Sequence, residues 1–248
     1  MPIQISKIRP PSGGSVVRMD DLIGKRILIT SGPTRGPLDA VRYITNKSTG
    51  RLGAILAEQA LSRGAMVTFM YGKGSLIPDT DGLGPEFSSR LRLVEIETVS
   101  ELVEAMRDEL ETNQYDAVLH SMAVLDYVPE RYIEEKTRSG QEEWWIKLVR
   151  TPKVIKLVRE LQPRTVLVGF KLEVGKSKEE LIQIAHRSLL ANKADLVLAN
   201  DLRQIEQGRH VGYIVSPHGQ VEDVAEGKDE IARKLLDAVV ERTKSGVT

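Results

Sequence analysis

A chain of 248 residues is long enough to bury a complete α/β core, and its length favours one large domain over two. It carries 35 Lys and Arg residues against 35 Asp and Glu residues, and this zero net charge argues against a general nucleic-acid-binding protein. Because the chain contains no cysteine, disulfides, Cys-ligated metals and a thiol nucleophile are excluded.

Residues 1–20 are rich in Pro, Gly and Ser and are predicted to form a flexible segment before a single domain over residues 21–248. They lack the apolar stretch of a signal peptide. No run in the chain approaches the ~20 apolar residues that are needed to span a bilayer. We therefore expect a cytoplasmic protein that makes no membrane contact.

Strand and helix patterns alternate along most of the chain. The first run, Arg26-Ile-Leu-Ile-Thr30, is typical of a buried strand that enters a loop. Ser100 is the predicted N-cap of one helix, and Pro152 the first residue of another. In chain order the predicted elements are strand 26–30, helix 50–63, strands 66–70 and 91–96, helix 100–111, strand 116–120, helix 152–161, strand 165–169, helix 177–192, strand 195–199 and helix 228–243. This alternation predicts an α/β fold, a mainly parallel sheet with helices on both faces.

Residues 133–150 interrupt the alternation. A charged turn, Lys136-Thr-Arg-Ser-Gly140, precedes the pair Trp144-Trp145 in a chain with only 4% aromatic residues. The segment is interpreted as a β-hairpin arm that packs on another surface. It could cover its own sheet or cross to a second subunit, and we favour the second.

Ligands of open parallel sheets bind at the carboxyl ends of the strands, so the connection over residues 31–50 is the first candidate site. Its small residues would let backbone amides approach a phosphate, and the helix that follows favours an anion. The segment is neither GxGxxG nor GxxxxGK[ST], so the usual dinucleotide and P-loop assignments fail. The alternative is an ordinary surface loop. The polar and small residues of this loop are Gly32, Thr34, Arg35, Gly36, Asp39, Arg42, Asn46, Ser48 and Gly50.

Three more segments could contribute residues to a ligand site, and each also has an explanation that involves no ligand. Asp126 could hold Mg²⁺ against phosphates, or could be a helix N-cap or a surface ion pair. Lys136 could close over a triphosphate, or could be a solvated turn residue. Phe170 could stack on a base and Lys171 could meet phosphate, or the two could be a buried aromatic beside a solvated ion pair. The loop 71–85 either borders a substrate or is only cover, and His120 is expected in the core.

Residues 39–53 closely resemble the signature D-x-V-R-x-I-[ST]-N-x-S-[ST]-G-x-x-G of the phosphopantothenate–cysteine ligases, also called phosphopantothenoylcysteine synthetases. Three further blocks resemble that family in the same order. They are Ser121-Met-Ala-Val-Leu-Asp126-Tyr127, the turn Lys136-Thr-Arg-Ser139, and Asn200-Asp201. Four ordered blocks over residues 24–205 are far more specific than one motif.

This resemblance implies a Rossmann-like fold, a homodimer and two half-reactions. The carboxylate of 4′-phosphopantothenate is activated by a nucleoside triphosphate with Mg²⁺, and the amine of cysteine then displaces the nucleotide. CTP is favoured over ATP, because bacterial members generally use CTP. Residues 169–173 and 177–181 resemble the stand-alone bacterial form, which has no fused decarboxylase.

The resemblance also implies residue roles. Asn46 would hold the acyl intermediate, Lys136 would assist activation from a mobile flap, and Asp126 would lie by the nucleotide and its cation. The nucleotide-binding residues implied are Gly32, Thr34, Ser48, Ala123, Asp126, Tyr127, Lys136 and Phe170. The substrate-binding residues implied are Arg42, Asn46, Ser48 and Gly50.

One departure concerns a helix on which many fused relatives carry two lysines that reach the triphosphate. Ser188 and Asn192 stand at the matching positions here, which leaves the phosphate contacts of this helix open. An NAD(P)-dependent oxidoreductase is the alternative on the same fold, but GxGxxG is absent. A flavin-dependent decarboxylase of the pathway would, by analogy with its family, need a cysteine. A non-catalytic nucleotide-binding protein is the third alternative.

Overall fold

The computed structural model describes residues 20–80 and 84–244. The flexible segment predicted over residues 1–20 therefore lies, except for Asp20, outside the described residues. The strands in chain order are β1 (Arg26–Ser31), β2 (Arg35–Pro37), β3 (Tyr43–Thr45), β4 (Met66–Gly72), β5 (Leu91–Ile96), β6 (Ala117–His120), β7 (Tyr127–Pro129), β8 (Leu148–Arg150), β9 (Val166–Glu173), β10 (Leu196–Asp201), β11 (Val211–Val215) and β12 (Val221–Glu226). The helices are α1 (Arg51–Ser62), α2 (Pro85–Ser88), α3 (Val99–Thr112), α4 (Ile155–Leu161), α5 (Lys178–Asn192), α6 (Leu202–Glu206) and α7 (Lys228–Lys244).

Eight strands form one sheet in the order β12-β11-β10-β9-β6-β1-β4-β5. Six of them, from β5 across to β10, are parallel, which confirms the predicted mainly parallel α/β sheet. From β1 the chain first adds β4 and β5 on one side, and then β6, β9 and β10 on the other. The strand order thus reverses between β1 and β6, which is where ligands bind in open α/β sheets.

Helices cover both faces of this sheet because successive strand residues point to opposite sides. Ile27 and Ile29 of β1 pack in one apolar cluster with α1 and α7, and Leu28 packs in the other with α3, α4 and α5. Two small hairpins, β2–β3 and β7–β8, form separate two-stranded sheets. No helix within residues 20–80 and 84–244 has the length and apolar character of a transmembrane span.

Two predicted helix starts are wrong. Thr98, and not Ser100, is the N-cap of α3, because its hydroxyl accepts from the Glu101 amide at 3.2 Å and Glu101 bonds back to the Thr98 amide. Pro152 does not begin a helix, since α4 starts at Ile155. The local capping box with Glu101 decides the start of α3.

The sequence prediction also made β9 too short and missed two strands of the sheet. β9 continues to Glu173, so Phe170 and Lys171 lie inside a strand that pairs with β10, rather than in the loop after it. β11 and β12 were not predicted. They add antiparallel to β10 and to each other, and they extend the sheet at one edge.

The predicted arm has different bounds. β8 pairs antiparallel with β7, which begins at Tyr127, so the hairpin starts before residue 133. Residues 134–143 form no strand, because this mostly charged stretch has no alternation of apolar and polar side chains. The exposed fraction of Trp145 is 87%, so this ring does not cover the sheet of its own chain.

Candidate active site

Small residues lie at the carboxyl ends of the parallel strands, where β1 ends and α1 begins. This end of the sheet is called the glycine-lined edge below. A Cβ on Gly53 would lie less than 3.0 Å from Ser31, and Gly50 has a left-handed φ of 77°. The Ser31 hydroxyl donates to the Gly50 carbonyl at 3.0 Å. The N-cap residue Gly50 has no side chain to cap α1, and no acidic residue lies in the first turn. The Arg51 amide donates to the Thr49 hydroxyl at 3.4 Å, and the other amides of this turn are available to an anion.

The loop after β4 packs against the same edge, so it borders the candidate site rather than only covering it. A Cβ on Gly72 would lie less than 3.0 Å from the Pro33 carbonyl oxygen, and the Leu76 amide donates to the Thr49 carbonyl at 3.0 Å. Between the loops is a cavity of about 350 Å³. Its polar lining includes Arg35, Asn46, Lys47, Ser48, Lys73 and Ser75. The hydroxyl of Ser75 is buried and has no hydrogen-bond partner among the described residues.

Backbone hydrogen bonds join the first loop to the segment after β6. The Ala123 amide donates to the Gly32 carbonyl at 2.8 Å, and the Thr34 amide donates to the Ala123 carbonyl at 3.3 Å. The Asn46 side-chain amide donates to that same carbonyl at 3.0 Å. The Thr34 hydroxyl accepts from the Leu125 amide at 3.0 Å. The structure therefore brings together four of the predicted site residues, Gly32, Thr34, Asn46 and Ala123.

Lys136 also lies beside the first loop. The buried carboxylate of Asp39 accepts from the Thr137 amide at 3.1 Å, and the guanidinium of Arg42 donates to the Thr137 carbonyl at 3.4 Å. Burial would raise the pKa of Asp39, but hydrogen bonds from the amides of Val41, Thr137 and Arg42 lower it to about 2. The side chain of Lys136 is exposed and makes no ion pair within the described parts of the chain.

Asp126 forms a surface ion pair, which is one of the two alternatives to a metal site that the sequence left open. Its carboxylate is 61% exposed and forms an ion pair with Lys153 at 2.6 Å. Within residues 20–80 and 84–244, no group of three or more His, Cys, Asp or Glu side chains is arranged to hold a metal. Tyr127 follows in β7, and 54% of its surface is exposed. A Mg²⁺ ion at Asp126 would need phosphate oxygens and water for most of its ligands.

Phe170 is half-buried in β9 and packs against the apolar cluster on the α1 and α7 side. Lys171 forms an ion pair with Glu173 at 2.9 Å. These are the contacts of the ordinary alternative, a packed aromatic beside an ion pair. Part of the Phe170 ring is exposed, and its contact with a nucleotide stays a prediction.

Ser188 and Asn192 lie at the end of α5, just before β10 begins. They therefore lie at the amino ends of the parallel strands, opposite to the glycine-lined edge. The Asn192 side-chain amide donates to the Ser188 carbonyl at 2.8 Å. Neither side chain can contact a ligand that is bound at the glycine-lined edge of the same chain.

His120 is a core residue, as predicted. Only 9% of it is exposed, and its Nδ1 lies 2.8 Å from the Thr30 hydroxyl oxygen. Burial lowers the pKa of His120 to about 4, so the ring is neutral at pH 7. The sequence prediction placed Ser31 and Ser75 in candidate loops but named neither as a site residue, although Ser31 directly follows the predicted strand 26–30.

Comparison with known proteins places the chain in a family. The family profile described as the DNA/pantothenate metabolism flavoprotein C-terminal domain matches residues 22–243. The bifunctional coenzyme A biosynthesis protein CoaBC of Thermococcus kodakarensis is 38% identical over 218 residues, which cover 88% of this chain and 51% of that protein. CoaBC of Escherichia coli K12 is 32% identical over 234 residues, covering 90% and 53%. The chain spans about half the length of these curated relatives.

Solved structures agree with this assignment. A DNA/pantothenate metabolism flavoprotein from Streptococcus pneumoniae has a TM-score of 0.77 and 35% identity, covering 87% of this chain and 98% of that one. A Cab2 variant in complex with phosphopantothenate-cysteine has a TM-score of 0.73 and 24% identity, covering 90% and 87%, and shares the fold. The resemblance found in the motifs is thereby confirmed, and the chain belongs to the DNA/pantothenate metabolism flavoprotein C-terminal domain family.

Proposed function

We propose that this chain is a phosphopantothenate–cysteine ligase that uses CTP and Mg²⁺. The main support is that Ala123 and the backbone next to Lys136 are both hydrogen-bonded to the loop over residues 31–50, which carries Asn46 and leads into the start of α1. The relatives that the chain matches are bifunctional proteins of coenzyme A biosynthesis. Phosphopantothenate and cysteine as substrates, and the cytoplasm as location, are part of this proposal.

In the first half-reaction a carboxylate oxygen of 4′-phosphopantothenate attacks the α-phosphorus of CTP. The bond from that phosphorus to the bridging oxygen breaks, and pyrophosphate leaves. The two reactants are both anions, so the step depends on neutralising charge and on positioning. The amides of the first turn of α1 and the ammonium of Lys136, whose turn is bonded to Asp39, would provide positive charge for this step.

In the second half-reaction the amine nitrogen of cysteine attacks the acyl carbon. CMP leaves with the bridging oxygen, and the amine releases one proton. No protein nucleophile is needed, which suits a chain without cysteine. Asn46, whose amide is held at 3.0 Å from the Ala123 carbonyl, would orient the acyl group for this attack.

The nucleotide would occupy the edge between β1 and β6. Gly32, Thr34, Ser48 and Ala123 would line its phosphates, and Tyr127 and Phe170 are proposed to contact the nucleoside. A Mg²⁺ ion held by the exposed carboxylate of Asp126 and by phosphate oxygens would neutralise charge on the triphosphate. Arg42, Ser48 and Gly50 would contact the acid substrate.

A pyrophosphate-release assay with 4′-phosphopantothenate, cysteine and Mg²⁺ tests this function, with CTP and ATP in parallel reactions. We expect stoichiometric release of pyrophosphate and CMP, with CTP the better nucleotide. A non-catalytic nucleotide-binding protein would bind CTP without release. An oxidoreductase would instead change the absorbance of NADPH with a suitable substrate.

Changing Asn46→Asp should slow the second half-reaction. The new carboxylate would face the Ala123 carbonyl oxygen, where Asn46 now donates a hydrogen bond at 3.0 Å. A lost hydrogen bond of about 1–3 kcal/mol corresponds to roughly 5–150-fold in rate. Rapid quenching should show acyl-cytidylate accumulating, and Asn192→Asp at the opposite edge should not show it. Unchanged product formation in Asn46→Asp would remove Asn46 from the mechanism.

The two hairpins carry a surface that we propose forms a homodimer. Five large apolar side chains are exposed on these hairpins, and apolar residues grouped on one surface mark protein–protein contacts. They are Val41 at 61%, Tyr43 at 45%, Tyr127 at 54%, Trp145 at 87% and Leu148 at 45%. This observation supports the crossing alternative for the arm.

Combining Tyr127→Ser with Trp145→Ser should shift the protein from dimer to monomer in sedimentation velocity. The control is Leu190→Ser, which removes a side chain that is 56% exposed on α5, away from the hairpins. Both proteins should keep the wild-type far-ultraviolet circular dichroism. A dimer of unchanged strength in the double variant would contradict the assignment of this surface.

A further inference from the structure

The backbone on each side of Lys136 is attached to the first loop. Before Lys136, the Ile133 amide donates to the Leu38 carbonyl at 3.1 Å. After it, the Thr137 amide donates to Oδ2 of Asp39 at 3.1 Å. Asp39 and Thr137 are 98 positions apart in the sequence. The turn that carries Lys136 is therefore held at both ends, while its side chain stays exposed.

Asp39 is the residue at which these contacts meet. Its side chain is fully buried, at 0% exposure. Oδ1 accepts from the amides of Val41 at 2.9 Å and Arg42 at 2.8 Å, which closes the tight turn of the first loop. Oδ2 accepts from the Arg42 guanidinium at 3.0 Å and from Thr137. One carboxylate thus fixes both the first loop and the turn of Lys136.

Only an ionised carboxylate satisfies all four donors. A carboxylate offers two acceptor oxygens and no donor, whereas an asparagine would place an NH₂ group against one pair of N–H donors. Arg42 strengthens the attachment, since its guanidinium also donates to the Thr137 carbonyl and lies 5.4 Å from the centre of the Trp144 ring. The arrangement is specific for Asp at this position.

We propose that Asp39 is a positioning residue for Lys136. It acts on the reaction through the backbone of residues 133–137, and it makes no contact with the reacting atoms. A lysine that neutralises a developing charge must be placed to within about 1 Å, and a displacement of that size can cost roughly 10²-fold in rate. This inference rests on the proposed ligase function.

Two variants separate the contacts of Asp39. Asp39→Asn keeps the size of the side chain and loses the charge. Asp39→Ser keeps a short acceptor for the Val41 and Arg42 amides but cannot reach Thr137. The matched control is Asp195→Asn at the opposite edge, where Asp195 accepts from the Leu167 amide and from Arg159, both at 2.7 Å.

Hydrogen–deuterium exchange reports the attachment without any assay of activity. In both Asp39 variants, peptides that cover residues 131–140 should exchange at least about tenfold faster, because the Thr137 amide loses its acceptor. Asp195→Asn should leave these peptides unchanged. Wild-type exchange in the Asp39 variants would overturn the proposal, and this result does not depend on whether the chain is a ligase.

Kinetics then test whether Asp39 acts through Lys136. The kcat for pyrophosphate release should fall about 10–100-fold in Asp39→Asn, with a change of less than about threefold in the KM for CTP. In a Lys136→Ala background the same Asp39→Asn change should cost nothing further. Independent, multiplying losses would mean that Asp39 serves the fold or the substrate directly, and would refute the positioning role. If the wild-type protein shows no release at all, the proposed function fails while the exchange result still stands.

Discussion

Replacing Lys136 with alanine should lower the rate of pyrophosphate formation by about 10²–10³-fold, the usual loss when one charge-stabilising group is removed from a transition state. The reason is electrostatic. The ammonium of Lys136 is exposed, makes no ion pair within the described parts of the chain, and is attached beside the first loop through the Asp39–Thr137 contact. Single-turnover measurements with saturating CTP and 4′-phosphopantothenate would isolate this step.

Lys147→Ala is the control for this variant. Lys147 lies on the same arm, its side chain is 72% exposed, and its ammonium pairs with Glu130. An exposed pair of this kind contributes only about 0–1 kcal/mol to stability, and it lies outside the proposed reaction. We expect a rate within about twofold of wild type. Equal losses in the two variants would show that the arm as a whole matters, and not the charge at Lys136.

Replacing Gly72 with alanine should cost about 3 kcal/mol in the free energy of unfolding, at the upper end for an overpacked site. The new Cβ would lie 3.0 Å from the carbonyl carbon of Pro33 and closer still to its oxygen. Both atoms belong to the backbone, so the clash cannot be relieved by turning a side chain. The first loop would have to move away from the loop after β4.

Urea denaturation of Gly72→Ala and Gly140→Ala would measure this cost, because a Cβ on Gly140 meets nothing within 4 Å. We also expect weaker CTP binding in Gly72→Ala, since the displaced loop lines the cavity of about 350 Å³. If the two variants have the same unfolding midpoint, close packing of the two loops does not contribute to stability.

The strands of the parallel sheet were predictable because buried parallel strands are short, continuous apolar runs. β1 and β6 were placed correctly to within a residue or two. β11 and β12 were not, although Val211–Val215 is such a run. Only Ala225 of β12 is buried, because the strand lies at the edge of the sheet, and an edge position is a property of the assembled sheet.

The start of α3 differs, because here the prediction missed a local signal. Thr98 and Ser100 are both good N-cap residues by type. The position of Glu101, three residues after Thr98, completes a capping box only with Thr98. That signal was present in the sequence, and it identifies the correct cap without any tertiary information.

The sequence by itself determined the alternation of strands and helices, the family, and the residue types at the site, because ordered motifs and apolar runs are local properties of the chain. The tertiary structure alone decided which loops meet. Asn46 bonds to Ala123 at 77 positions of separation, and Asp39 to Thr137 at 98. Such contacts follow from β1 and β6 being neighbours in the sheet, and strand order arises from the packing of the whole chain.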